Sequence, residues 1–208
     1  MNAVIFDLDG TLWDAVVPIW HAWAAECERL NVPHVPVTRE LLASLMGKTA
    51  AEIQRLIFPA LEPEAQQSAM AQLFAAEQRQ LETESGAIYP GVRETLEQLS
   101  ARYALFIVSN SQDGYVQTFL RWLGGNWFLD YEMSGRTGLT KGKNIRLVME
   151  RNRIERAVYV GDTQMDADAA AEARISFIHA AYGFGAVPEA RWKIVDFSEL
   201  PALLSRIP

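Results

Sequence analysis

Four short segments of the chain are apolar almost without interruption: AVIFDLD (residues 3–9), ALFIVSN (104–110), AVYVGD (157–162) and SFIHAA (176–181). They are rich in β-branched and aromatic residues. A strand with one face in water would alternate polar and apolar positions instead. Near-continuous runs suit strands covered on both faces, as in parallel sheets. KIVDF (193–197) is a weaker fifth run. The stretches between the later runs carry helical spacing, with Val92, Leu96 and Leu99 on one face of GVRETLEQLSARY, and NIRLVMERN and MDADAAAEAR read the same way. Alternating strands and helices predict an α/β fold built on a doubly wound, Rossmann-like, mainly parallel sheet.

One interval breaks the alternation. Residues 15–86 contain no strand pattern and read as successive helices in VVPIWHAWAAECERL, TRELLASLM, TAAEIQRLIF and PEAQQSAMAQLFAAEQRQLE. Thr38 and Glu64 stand near helix starts, and Gly47 marks a stop after ASLM. The α/β pattern resumes at YPGV, where Pro90 and Gly91 signal a turn. The expected organisation is therefore an α/β core of residues 1–14 and 87–208, interrupted by an inserted helical domain of residues 15–86.

Acidic and basic residues leave a net charge of −7 in 208 residues. That balance disfavours nucleic-acid and anionic-membrane partners, but a local cation site can still bind a phosphate ester. The single cysteine, Cys27, forbids an intrachain disulfide and reads as a small buried helix residue. Asp7 arrives before a signal-peptide core could form, and no apolar run reaches the ~18 residues of a membrane span. The expectation is a soluble, cytoplasmic protein, monomeric or homodimeric.

Ligands of open parallel sheets bind beyond the carboxyl ends of the strands. Those ends read Asp7-Leu8-Asp9-Gly10-Thr11, then Ser109-Asn110-Ser111, then Gly161-Asp162-Thr163 with Asp166 four residues after Asp162. Strand alternation sends Asp7 and Asp9 to one side. Lys141 and Lys143 precede the helix leading into the AVYVGD strand. Buried carboxylates are costly unless paired or bound to a cation. Several of them beside a lysine suggest a hard cation such as Mg²⁺ and an anionic substrate. Phosphoryl transfer uses such a set, with one carboxylate as nucleophile and another as acid and base.

Taken in order, DLDGTLWD, FIVSNS, the lysine of TKGKNIR and VGDTQMDADAA resemble the four motifs of the haloacid dehalogenase superfamily of phosphohydrolases. The helical insertion resembles the small α-helical cap of its phosphoglycolate phosphatase and β-phosphoglucomutase branch. The resemblance implies that Asp7 attacks phosphorus and Asp9 serves as acid and base. It implies that Ser109 and Asn110 bind the phosphoryl group beside Gly10 and Thr11, and that Lys141 balances its charge. Mg²⁺ would be held by Asp7, the backbone carbonyl of Asp9 and Asp162, with Asp166 in support. Family dehalogenases lack the second aspartate of the first motif, so Asp9 points to a phosphatase acting on a small phosphorylated metabolite. TKGKNIR lacks the prolines common around the motif lysine; Lys141, just before the helix start, is favoured over Lys143.

Other features are weighed against ordinary packing. Lys48, beside Gly47, either contacts the leaving group or is a solvated lysine. Trp20 and Trp23 read as packing residues, and Trp13 is expected to line the substrate opening. YGFG (182–185) reads as a turn, and GRTGLTKGKN lacks the spacing of a phosphate-binding loop. Asp168 reads as surface and His21 as an ordinary helix residue. His21 does not align with the cap histidine of the mutases, which lowers a phosphosugar mutase below the phosphatase. A non-catalytic binding protein on the same scaffold is the third reading.

Overall fold

The first apolar run becomes strand β1 (Ala3–Phe6), all four residues buried, in a computed structural model that describes residues 2–207. After it come β2 (Trp13–Asp14) and four helices, α1 (Val16–Leu30), α2 (Arg39–Leu45), α3 (Ala50–Ile57) and α4 (Pro63–Leu81). The chain continues through β3 (Ala87–Ile88), α5 (Val92–Ser100), β4 (Ala104–Ser109), α6 (Tyr115–Leu123) and β5 (Phe128–Met133). It ends with α7 (Ser134–Thr137), α8 (Lys141–Arg151), β6 (Ala157–Gly161), α9 (Gln164–Ala173), β7 (Ser176–Ala180), β8 (Trp192–Ile194) and α10 (Leu200–Leu204).

Six strands form one sheet in the order β5-β4-β1-β6-β7-β8, parallel at every pairing. This is the α/β sheet that the apolar runs predict. Phe6 stands opposite Ile107 on one side and Val160 on the other. That register delivers Asp7, Ser109 and Asp162 to one edge of the sheet, each a residue or two beyond these partners. Helices cover both faces, and the strand side chains divide between two apolar clusters accordingly.

Strand β5 escapes a search for apolar runs because its buried residues include Glu132 and its sequence carries Asp130. Arg136 and Arg151 pair with Glu132, and Arg151 also pairs with Asp130. The arginines offset carboxylates that an edge strand could not otherwise hold so close to the core.

Helix α1 places Val16, Ile19, Trp23 and Cys27 on its buried side and packs against α4. Thr38 caps α2 and Thr49 caps α3, each accepting from a backbone N–H in the first turn. Glu52 completes a capping box at Thr49. Strands β2 and β3 pair antiparallel across the two ends of this helical stretch, so the chain leaves the sheet and rejoins it at one place. No helix among the described residues is long and apolar enough to cross a membrane.

Candidate active site

Strand β1 stops at Phe6, and the Asp7 N–H still donates to the Val160 carbonyl at 2.8 Å. The chain then turns: the amides of Thr11, Leu12 and Trp13 all converge on the Leu8 carbonyl. Gly10 takes φ +80° in this turn, and a Cβ there would lie 2.2 Å from Asp162 Oδ2. Glycine is therefore required twice over, by backbone conformation and by close approach.

Lys141 opens helix α8 and reaches under the sheet edge. Its ammonium donates to Asp7 Oδ1 at 2.9 Å and to Asp166 Oδ1 at 2.7 Å, and all three side chains are buried. Lys143, in the first turn of the same helix, is exposed. Asp166 Oδ2 accepts from the backbone N–H and the hydroxyl of Thr163, so both oxygens of Asp166 are engaged by protein donors. Asp162 Oδ2 accepts from the Phe184 N–H at 2.7 Å, whereas its buried Oδ1 has no partner.

Carboxylate oxygens of Asp7, Asp162 and Asp166 lie within 4.8 Å of one another. Three carboxylates against one ammonium leave two negative charges uncompensated in a buried site. A divalent cation would balance them, and the all-oxygen donor set with the orphaned Asp162 Oδ1 suits a hard ion such as Mg²⁺. Without a cation, burial favours the protonated forms of Asp7 and Asp162. Burial, then the charge of Asp166, pushes Asp7 well above the usual carboxylate range despite Lys141. The same two causes push Asp162 up to about 7. Burial by itself would lower the Lys141 ammonium, but Asp166 and Asp7 more than reverse that and raise it.

The Asp9 carboxylate stands apart from this cluster. Its Oδ1 accepts from the Tyr115 hydroxyl at 2.6 Å, and burial raises it to about 6 against that hydrogen bond. A carboxyl poised there can hold or release a proton near neutrality.

Asp7, Asp9, Ser109, Asn110 and Lys141 line one cavity, and Lys48 lines it from the loop after α2. Ser109 Oγ accepts from the Ser111 N–H. The Asn110 amide is occupied otherwise than expected: it donates to the Gly47 carbonyl at 2.9 Å and accepts from Ser134. It thus ties the sheet edge to the loop carrying Lys48. Gly10 and Thr11 lie behind the cavity wall; the Thr11 carbonyl accepts from Tyr182 and its hydroxyl is buried without a partner.

One expectation is corrected. Trp13 does not line the opening. It is fully buried, packed edge-on against Tyr115 and Phe119, because β2 turns it into the apolar cluster beneath the helices. Asp7 and Asp9 both face the cavity, Asp7 held by Lys141 and Asp9 by Tyr115. His21 sits half-exposed near Glu84, off the cavity, and Asp168 is exposed.

Three features went unread in the sequence. Tyr115, at the first turn of α6, reaches Asp9 across 106 positions of chain. Gly183 lies so close to Asp162 that a Cβ would meet it at 2.4 Å, which makes YGFG the seat of that aspartate as well as a turn. Glu77 of α4 is buried on the cavity wall; its only legible signal is an acid placed on the stripe of Met70, Leu73 and Leu81.

A parallel sheet whose carboxyl edge gathers an aspartate beside a buried lysine, further acids with a cation deficit and a poised carboxyl suits phosphoryl transfer. The chain belongs to the haloacid dehalogenase-like hydrolase family, whose family model matches residues 4–180. A phosphoglycolate phosphatase of Rhodobacter capsulatus is 27% identical over 97% of this chain and 96% of its own length. One of Synechococcus elongatus is 30% identical over 88% of this chain and 85% of its own. Among solved structures, a predicted phosphoglycolate phosphatase from Haemophilus somnus superposes with a TM-score of 0.85 at 22% identity, covering 98% of each chain. Family and relatives together indicate that the protein is a phosphatase.

Proposed function

We propose that this protein is an Mg²⁺-dependent phosphatase that hydrolyses a small phosphorylated metabolite through an aspartyl-phosphate on Asp7. The observation that carries the reading is the buried Lys141 ammonium holding Asp7 Oδ1 and Asp166 Oδ1 together. A nucleophile fixed by one oxygen presents the other to phosphorus. That oxygen forms a bond to phosphorus as the bond to the leaving oxygen breaks, and Asp9 gives its proton to the leaving group. Asp9, now ionised, takes a proton from water as the water oxygen attacks phosphorus and returns Asp7. Tyr115 keeps the Asp9 carboxyl on its acid-base path. Ser109 is placed to donate to a phosphoryl oxygen and Lys141 to offset the charge that develops there.

Mg²⁺ would be held by Asp7, Asp162 and the Asp9 backbone carbonyl, with Asp166 behind, and supplies positive charge against the phosphoryl oxygens. We assign residues 15–86 as a cap over a core of residues 1–14 and 87–208, with Lys48 on the cap side of the cavity and the β2–β3 pair as the connection between them. The lone buried cysteine fits a reducing, cytoplasmic setting for this activity.

The test is phosphate release from a panel of small phosphate monoesters, including an aryl phosphate, with and without Mg²⁺ and with Asp7→Asn as control. Release that needs both Mg²⁺ and Asp7 is the expected result. Undiminished turnover by Asp7→Asn would end the proposal.

A further inference from the structure

The far end of the cavity has its own chemistry. Ile19, Trp23, Leu45, Met46, Ile53 and Phe74 supply an apolar wall, and Trp23 and Phe74 meet edge to face with centroids 6.1 Å apart. Within this wall stands the Glu77 carboxyl, 3% exposed. Its Oε2 accepts from the Trp23 indole N–H at 2.8 Å and its Oε1 from the Gln112 amide at 2.6 Å. Both donors are neutral, and among the described ion pairs none includes Glu77. Lys48, the one cap cation among the described residues of the wall, does not pair with it. A carboxylate has about four acceptor sites, so Glu77 can still accept from a ligand in the cavity.

We infer that Glu77 is a specificity-determining residue that accepts a hydrogen bond from the leaving group, so that the preferred substrate is a small phosphate monoester bearing an ammonium or hydroxyl and not a carboxylate. This rests on the phosphatase reading and deepens it. Burial, with the nearby charge of Asp9 adding to it, pushes Glu77 up to about 8, as befits an acid lacking a cation. A substrate ammonium would supply that cation, with Trp23 and Phe74 alongside in the cavity wall. A substrate hydroxyl would supply a neutral donor. A substrate carboxylate supplies no donor: it can be met only while Glu77 keeps its proton, and above about pH 8 it would set two anions side by side in a low-dielectric pocket. The space open to the centres of water molecules is about 60 Å³, several times the ~10–15 Å³ that one water needs, which suits a short leaving group.

The experiment, run at about pH 9 so that Glu77 is ionised, uses four esters that share a two-carbon leaving group: phosphoethanolamine, 2-hydroxyethyl phosphate, ethyl phosphate and phosphoglycolate. The ammonium or the hydroxyl ester is expected to exceed phosphoglycolate in kcat/KM by roughly tenfold or more, and the better of the two identifies the donor. Glu77→Gln is expected to shrink that ratio by lowering the donor ester and raising phosphoglycolate. Calorimetric binding of the same esters to the Asp7→Asn protein with Mg²⁺ should give the same order without turnover. Phosphoglycolate equal to or ahead of the donor esters in the unmodified protein, by rate and by binding, overturns the inference. So does a ratio that Glu77→Gln leaves unchanged. Loss of hydrolysis for every ester and for an aryl phosphate would instead strike the phosphatase reading, while the binding order would still decide the role of Glu77.

Discussion

Replacing Lys141 by methionine removes the charge at the centre of the site while keeping a long apolar stem. The side chains of Lys141, Asp7 and Asp166 are 4%, 3% and 0% exposed, so solvent cannot take over the role of the ammonium. Removing one partner of a buried pair costs about 3–5 kcal/mol because a charge is left without compensation. Asp7 limits this loss by binding a proton. In the unfolded chain it titrates near ~4; in the folded variant the ammonium no longer offsets its burial, and it titrates higher still than in the parent. The folded variant then binds more protons than the unfolded chain, so its stability falls as pH rises from ~4 through the raised folded value. In urea unfolding with chelator present, the variant should be about 3 kcal/mol less stable than the parent near pH 8, a melting temperature lower by roughly 6–12 °C in a chain of this size. Near pH 5 the deficit should narrow to about half. A deficit below about 0.5 kcal/mol, or one independent of pH, would refute the assignment of Lys141 as the counter-charge of the buried acids.

The same geometry sets three further outcomes. Gly10→Ala must adopt φ +80° and displace Asp162, so it should lose about 1–3 kcal/mol of stability and bind Mg²⁺ more weakly, read by calorimetry. The unmodified protein stripped of metal should melt lower near pH 8 than near pH 6, since Asp9, Asp162 and Glu77 are held at about 6, 7 and 8 in the fold and must ionise there against burial; Mg²⁺ should close much of that gap. Asn110→Ala removes the amide that holds the Gly47 carbonyl, so KM should rise several-fold with stability changed by only about 1 kcal/mol, measured by steady-state kinetics and thermal melting.

The sheet was legible because β1, β4, β6 and β7 are buried on both faces, and burial on both faces leaves continuous apolar runs. Strand β5 was not, since its two acids are offset by arginines that lie in later helices, and no local pattern records such pairing. The acids of the first and fourth motifs were legible by type and spacing, and Lys141 by its place before a helix. The features that escaped notice depend on tertiary proximity. Tyr115 looks like an ordinary first-turn residue until α6 docks beside Asp9, and Glu77 looks like one more charge on a polar helix until α4 packs against α1. Trp13 was misplaced for a related reason: its neighbour Asp14 belongs to the short pairing with Ala87, which turns the indole inward and is fixed only when the chain returns from the helices.

In the proposed mechanism Asp7 carries the phosphoryl group. An aryl phosphate is the most direct probe, because its leaving group departs without a proton. Asp9→Asn should therefore complete the first step and stall at the second, which needs a base for water. After acid quench, mass spectrometry of the Asp9→Asn protein should find one phosphoryl group on the peptide that contains Asp7, and none in the Asp7→Asn protein. Rapid hydrolysis by the unmodified enzyme, with no phosphoryl group on that peptide in either the parent or Asp9→Asn, would mean that Asp7 is not the phosphoryl carrier.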